Sequence, residues 1–111
     1  MSDLHRSGIS HERFDRLIRA FEKRIPKTTL FYIGRTNALQ RRRDQHYEWG
    51  GRDFDCMVEI DNFKSHAICA GVEAELINHF RRFYRCDNIA SDARGGWGSG
   101  PQYIYLMWAE R

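Results

Sequence analysis

Three runs of strand-forming residues constrain this chain most tightly: "TTLFYI" at 28–33, "DFDCMVEI" at 53–60 and "QYIYLMW" at 102–108. The first is β-branched and aromatic, and the second alternates, with Phe54, Cys56, Val58 and Ile60 on one side. Helix-patterned stretches separate them. Ser10 can cap a helix whose Phe14, Leu17, Ile18 and Phe21 form one apolar stripe and which Pro26 ends. Asn37 can cap a second, from Ala38 to about Trp49, closed by Gly50 and Gly51; Ser65 can cap a third, reaching about Tyr84. Residues 1–9 are polar and expected to be loose. The pattern predicts an α+β fold: a small three-stranded, mostly antiparallel sheet of residues 28–34, 53–60 and 102–108, flanked by helices. With 111 residues it is a single domain over 1–111, with an N-terminal helical extension at about 10–25.

Arginine supplies 15 of the 18 basic residues, a bias toward flat forks that match phosphate oxygens. Cys56, Cys69 and Cys86 are well separated and odd in number, which fits reduced thiols and a cytoplasmic protein. The first thirty residues hold no long apolar run, so neither a secretory signal nor a membrane span is expected. No C-x-x-C pair exists, and "GGWGSG" precedes a strand instead of opening a helix, so neither a zinc motif nor a nucleotide fingerprint is present.

Some charges fall on apolar faces. From Leu39 the inward stripe of the second helix passes through Arg42 or Arg43, His46 and Trp49; Arg42 and His46 are neighbours four apart. Arg41 groups with Ala38, Asp44 and Gln45 on the water side, and Arg43 lies between. In the third helix Glu73 sits among Cys69, Val72, Leu76, Ile77 and Phe80, whereas Glu75 can face water. A carboxylate on an apolar stripe is costly unless paired, hydrogen-bonded or metal-bound. The plain alternative to function is a structural salt bridge from Glu73 to Arg42. Glu73→Gln should preserve or improve folding if the carboxylate is an apolar-facing charge, and strongly destabilise it if the salt bridge is structural.

"YIGRTNALQRRRDQH" resembles the second strand and first catalytic helix of the GIY-YIG nuclease superfamily. That pattern has Tyr-Ile-Gly, a basic residue, an arginine and then a tyrosine or histidine, here Tyr32, Ile33, Gly34, Arg35, Arg42 and His46. The family's Glu-x-x-Leu-Ile helix resembles "EAELI", which puts its metal-binding glutamate at Glu73. Asn88, with Gly95 and Gly96, resembles the asparagine and glycine-rich loop that follow. The likeness spans about residues 28–96. The family's first strand, with its Gly-Ile-Tyr, should precede Tyr32, but "AFEKRIPKTT" there contains no tyrosine. The C-terminal "QYIYLMW" resembles that strand, implying a permuted order in which Tyr105 takes the first tyrosine's place, with Tyr103 on the same face.

The resemblance implies a divalent-metal-dependent endonuclease hydrolysing phosphodiesters in DNA, with one Mg²⁺ or Mn²⁺ on Glu73 and no organic cofactor. Arg42 would neutralise transition-state charge. Tyr32, Tyr105 or His46 would orient the water and take its proton, Asn88 would position the phosphate, and Arg35, Arg81 and Arg82 would touch the nucleic-acid backbone. So small a domain leaves sequence readout to a homodimer or a specificity partner. The alternative is a non-catalytic nucleic-acid-binding module on the same scaffold.

Overall fold

The computed structural model describes residues 3–25, 28–48, 56–83, 86 and 100–110. Its elements are α1 (His11–Glu22), β1 (Thr28–Thr36), α2 (Leu39–Glu48), β2 (Cys56–Phe63), α3 (His66–Phe80) and β3 (Gln102–Glu110). The fold is α+β, with a three-stranded antiparallel sheet in the order β1-β3-β2. The C-terminal strand is therefore the central one, paired with β1 on one side and β2 on the other.

The sheet separates two apolar layers. On one face Phe31, Ile33, Ile104 and Leu106 pack with α1 and α3 side chains, including Phe14, Leu17, Phe21, Val72, Leu76 and Phe80. On the other, Tyr105 and Met107 pack with Leu30, Tyr32, Met57 and Leu39 of α2. Thus α1 belongs to the main core and is not an appendage. Its Ser10 side chain accepts from the Arg13 N–H, and Ser65 accepts from Ile68 N–H at the start of α3, as the sequence led us to expect. Ser10, Arg13, Ser65 and Ile68 line one surface cleft, while Phe21 and Phe80 meet with ring centroids 5.6 Å apart. The two helices therefore run side by side in the same direction.

Several boundaries differ from expectation. β1 continues through Gly34 to Thr36, and α3 stops at Phe80, where Arg81 and the next residues turn. β2 extends past Ile60, because an irregularity between Glu59 and Asp61 absorbs one residue. The extra residue shifts the alternation. Asp61 and Phe63 thereby face the main core side, opposite Ile104 and Gln102, while Glu59 and Asn62 are exposed. That shift lets Arg13 of α1 grip the Asp61 carboxylate through Nε and Nη2, both at 2.9 Å, and the Asn62 carbonyl at 2.9 Å. Nor is the whole N-terminal segment loose: Leu4 bridges Ser10, Ile9 is buried, and the His5 ring stacks on Phe14 at 3.9 Å. Trp49, Phe54, Tyr84 and the glycine-rich segment 95–99 lie outside the described residues.

Candidate active site

β1 is the strand around which the candidate residues gather. Alternation sends Phe31, Ile33 and Arg35 toward α3, and Leu30, Tyr32 and Gly34 toward α2. Gly34 stands opposite Tyr105 of β3, and a Cβ added at Gly34 would overlap the Tyr105 ring. Glycine is thus required here for close approach and not for a turn, since Gly34 is not among the positive-φ glycines. The ring crosses β1 through the space a side chain would occupy.

The Tyr105 hydroxyl accepts a hydrogen bond from Arg42 Nε at 3.2 Å, and the Tyr105 and Tyr32 ring centroids lie 6.3 Å apart. Tyr105 is fully buried. Burial, then the neighbouring Tyr32, push its hydroxyl well above the usual tyrosine range; the hydrogen bond from Arg42 opposes them without prevailing, and Glu73 pushes the same way as burial. The group is therefore a stable proton carrier. At Arg42 burial works against the charge, but the bond to Tyr105 and the fields of Tyr105, Tyr32 and Glu73 outweigh it, raising its pKa further. Arg42 is half-buried, while Arg41 and Arg43 are exposed and Arg41 reaches Asn37 Oδ1 at 2.8 Å.

On α3, Glu73 is buried within the apolar stripe. Its expected ion-pair partner was Arg42; the structure pairs it with Arg35, Nε to Oε1 3.6 Å, both side chains 7 % exposed. Arg35 is therefore not a surface residue turned toward a nucleic-acid backbone. Sequence reasoning missed this partner, although alternation from Phe31 and Ile33 already put Arg35 on the core face. Nearby, burial pushes the Cys69 thiol up to about 12, with Arg35 opposing and Glu73 assisting, which disfavours its thiolate. Glu75 is paired at the surface with Arg6, at 3.2 Å.

The structure thus brings Tyr32, Arg42 and Tyr105 together, joins Arg35 to Glu73, and leaves Glu73 close enough for its charge to act on Arg42 and Tyr105. Arg81 and Arg82 are exposed just past the end of α3, away from that cluster in sequence and on the α3 side of the sheet. The His46 side chain and Asn88 lie outside the described residues. Among the described residues no three of His, Cys, Asp and Glu gather as a metal-binding group, and no helix is long and apolar enough to cross a membrane. No family model, curated protein or solved structure matches the chain.

Proposed function

We propose that this protein is a divalent-metal-dependent endonuclease that hydrolyses phosphodiester bonds in DNA, as its likeness to the GIY-YIG nucleases implies. The observation that carries the reading is the bond between Arg42 and Tyr105. It ties the arginine of the helix motif to the tyrosine of the C-terminal strand, beside the tyrosine of the Tyr-Ile-Gly motif. A permuted arrangement calls for Tyr105 within reach of Tyr32, Arg42 and Glu73, and this bond supports it for Arg42.

Glu73 is the residue that would hold Mg²⁺ or Mn²⁺. A single carboxylate fits such an ion, which is commonly held by one or two carboxylates, substrate phosphate oxygens and retained water. When bound, the cation supplies Lewis-acid stabilisation of phosphate and leaving-group charge. Arg42, permanently charged and already partly desolvated, neutralises charge that develops on the phosphate oxygens. Tyr105 holds the Arg42 guanidinium by its Nε. Tyr32, Tyr105 or His46 takes the water's proton, and burial, which disfavours ionisation of Tyr105, makes it the least suited of the three. The cytoplasm, where nucleic acid is abundant, suits both the reading and the free cysteines.

One observation favours the non-catalytic alternative: the buried Arg35–Glu73 pair gives Glu73 a structural counter-charge. Supercoiled plasmid separates the two. The nuclease reading expects nicking with Mg²⁺ or Mn²⁺, none with EDTA, and loss of nicking in Arg42→Ala with DNA affinity little changed. Salt-sensitive binding without metal-dependent nicking would establish the binding module instead. Neither binding nor nicking would eliminate both.

A further inference from the structure

The parallel arrangement of α1 and α3 brings their C-terminal ends together, and both ends are basic. Phe21, in the last turn of α1, packs against Phe80, the last residue of α3, and Phe80 in turn meets Phe31 of β1 edge-on at 6.2 Å. The chain immediately after these rings supplies Lys23 and Arg24 from α1 and Arg81 and Arg82 from α3. Lys23, Arg81 and Arg82 are exposed, and Arg24 is partly so.

Local contacts explain only part of this. Arg24 Nη1 donates to the Ala20 carbonyl at 2.8 Å, and Arg81 Nη1 reaches Asn78 Oδ1 at 3.4 Å, both as expected of cations at the negative end of a helix. The Arg82 guanidinium stands over Phe83 at 5.8 Å. None of the four takes part in an ion pair among the described residues. Glu22 is the acidic neighbour in sequence. Four cations from two helices thus share one corner with neutral hydrogen-bond acceptors.

We propose that this corner is a docking platform for a nucleic-acid backbone, formed jointly by the C-terminal ends of α1 and α3. Charge complementarity selects the occupant: forks and an ammonium spread over two helix ends match a row of phosphates better than they match one small anion. The proposal rests on the nuclease reading only for the class of polymer bound; binding by the platform does not require cleavage.

The test is fluorescence anisotropy of a labelled DNA duplex in EDTA, so that cleavage plays no part, over a series of salt concentrations. Lys23→Gln/Arg82→Gln should weaken binding several-fold at moderate salt and lower the log–log salt slope by about 2, one unit for each lost phosphate contact. Lys64→Gln is the control: Lys64 is exposed at the opposite, N-terminal end of α3 and should leave affinity and slope unchanged. Circular dichroism checks that both variants remain folded. A double variant that is folded and keeps the wild-type slope overturns the platform, as does an equal loss in Lys64→Gln. Vesicles of phosphatidylserine and phosphatidylcholine provide the third arm. Binding to them that depends on Lys23 and Arg82, with no binding to DNA, overturns a nucleic-acid partner. Failure of the nuclease reading would appear differently, as intact platform-dependent binding with no metal-dependent nicking.

Discussion

Arg42 and Tyr105, 63 residues apart in sequence, meet through a hydrogen bond from the guanidinium Nε to the phenol oxygen at 3.2 Å. The contact joins α2 to the central strand and fixes how the guanidinium is presented. Tyr105→Phe removes this acceptor and keeps the buried ring. The fold should lose only about 1 kcal/mol, as for an ordinary hydrogen bond. DNA nicking should fall about a hundredfold, the scale of one misaligned electrostatic group in an active site. Single-turnover nicking beside thermal unfolding checks both; full activity in Tyr105→Phe would make the strand a scaffold only.

The Arg35–Glu73 pair changes what neutralising Glu73 should do. From sequence, Glu73→Gln was expected to fold as well as wild type or better. With Arg35 buried beside it, that substitution removes the counter-charge facing the guanidinium and should destabilise the domain by about 3–5 kcal/mol, and Arg35→Gln should do so from the other side. The double variant should recover much of the loss, giving a coupling of about 1–3 kcal/mol in a urea double-mutant cycle. Additive losses would mean that the two groups stabilise the fold separately. Glu75→Gln, which removes only an exposed partner of Arg6, should change stability by less than about 1 kcal/mol.

The uneven legibility of this site has a physical pattern. Periodicity within one helix was sufficient to put Glu73 on the buried face of α3 and to distinguish Arg42 from Arg41. Caps at Ser10 and Ser65 were readable because side chain and acceptor lie within one turn. What the sequence concealed depends on neighbours from other elements. The partner of Glu73 comes from a strand, and the need for glycine at position 34 comes from the Tyr105 ring on the next strand. The β2 irregularity hid in the same way. A strict period of two puts Asp61 opposite to the side it occupies, and only pairing with β3 reveals the inserted residue that turns Asp61 toward Arg13.

The buried Cys69 thiol is expected to make stability fall at alkaline pH. Burial raises its thiol from 9.0 to about 12, so between those values the native state retains a proton that the unfolded chain releases. The stabilisation is fully present below pH 9 and is lost as pH rises toward 12, with a contribution to the slope approaching about 1.4 kcal/mol per pH unit. Urea unfolding from pH 8 to 10.5 should show this decline. Cys69→Ala, though less stable at pH 8 through lost packing, should show a shallower one. Identical slopes would exclude the thiol as a cause.

Gly34→Ala tests whether the site depends on how closely Tyr105 crosses β1. The added methyl would overlap the ring, which is fully buried. Either the strands separate or the ring tilts, at a cost of about 1–3 kcal/mol for overpacking. Both responses move the Tyr105 hydroxyl relative to Arg42. Activity should therefore fall in the folded fraction as well as through loss of that fraction. Nicking normalised to folded protein, measured well below the transition temperature, separates the two effects. Gly71→Ala is the comparison, because a Cβ there meets Ser7 only at ordinary contact distances of 3.5 Å and above. It should leave both stability and normalised nicking close to wild type. If Gly34→Ala behaves the same way, the close approach of ring and strand has no bearing on the chemistry, and Tyr105 holds Arg42 from a position that tolerates movement.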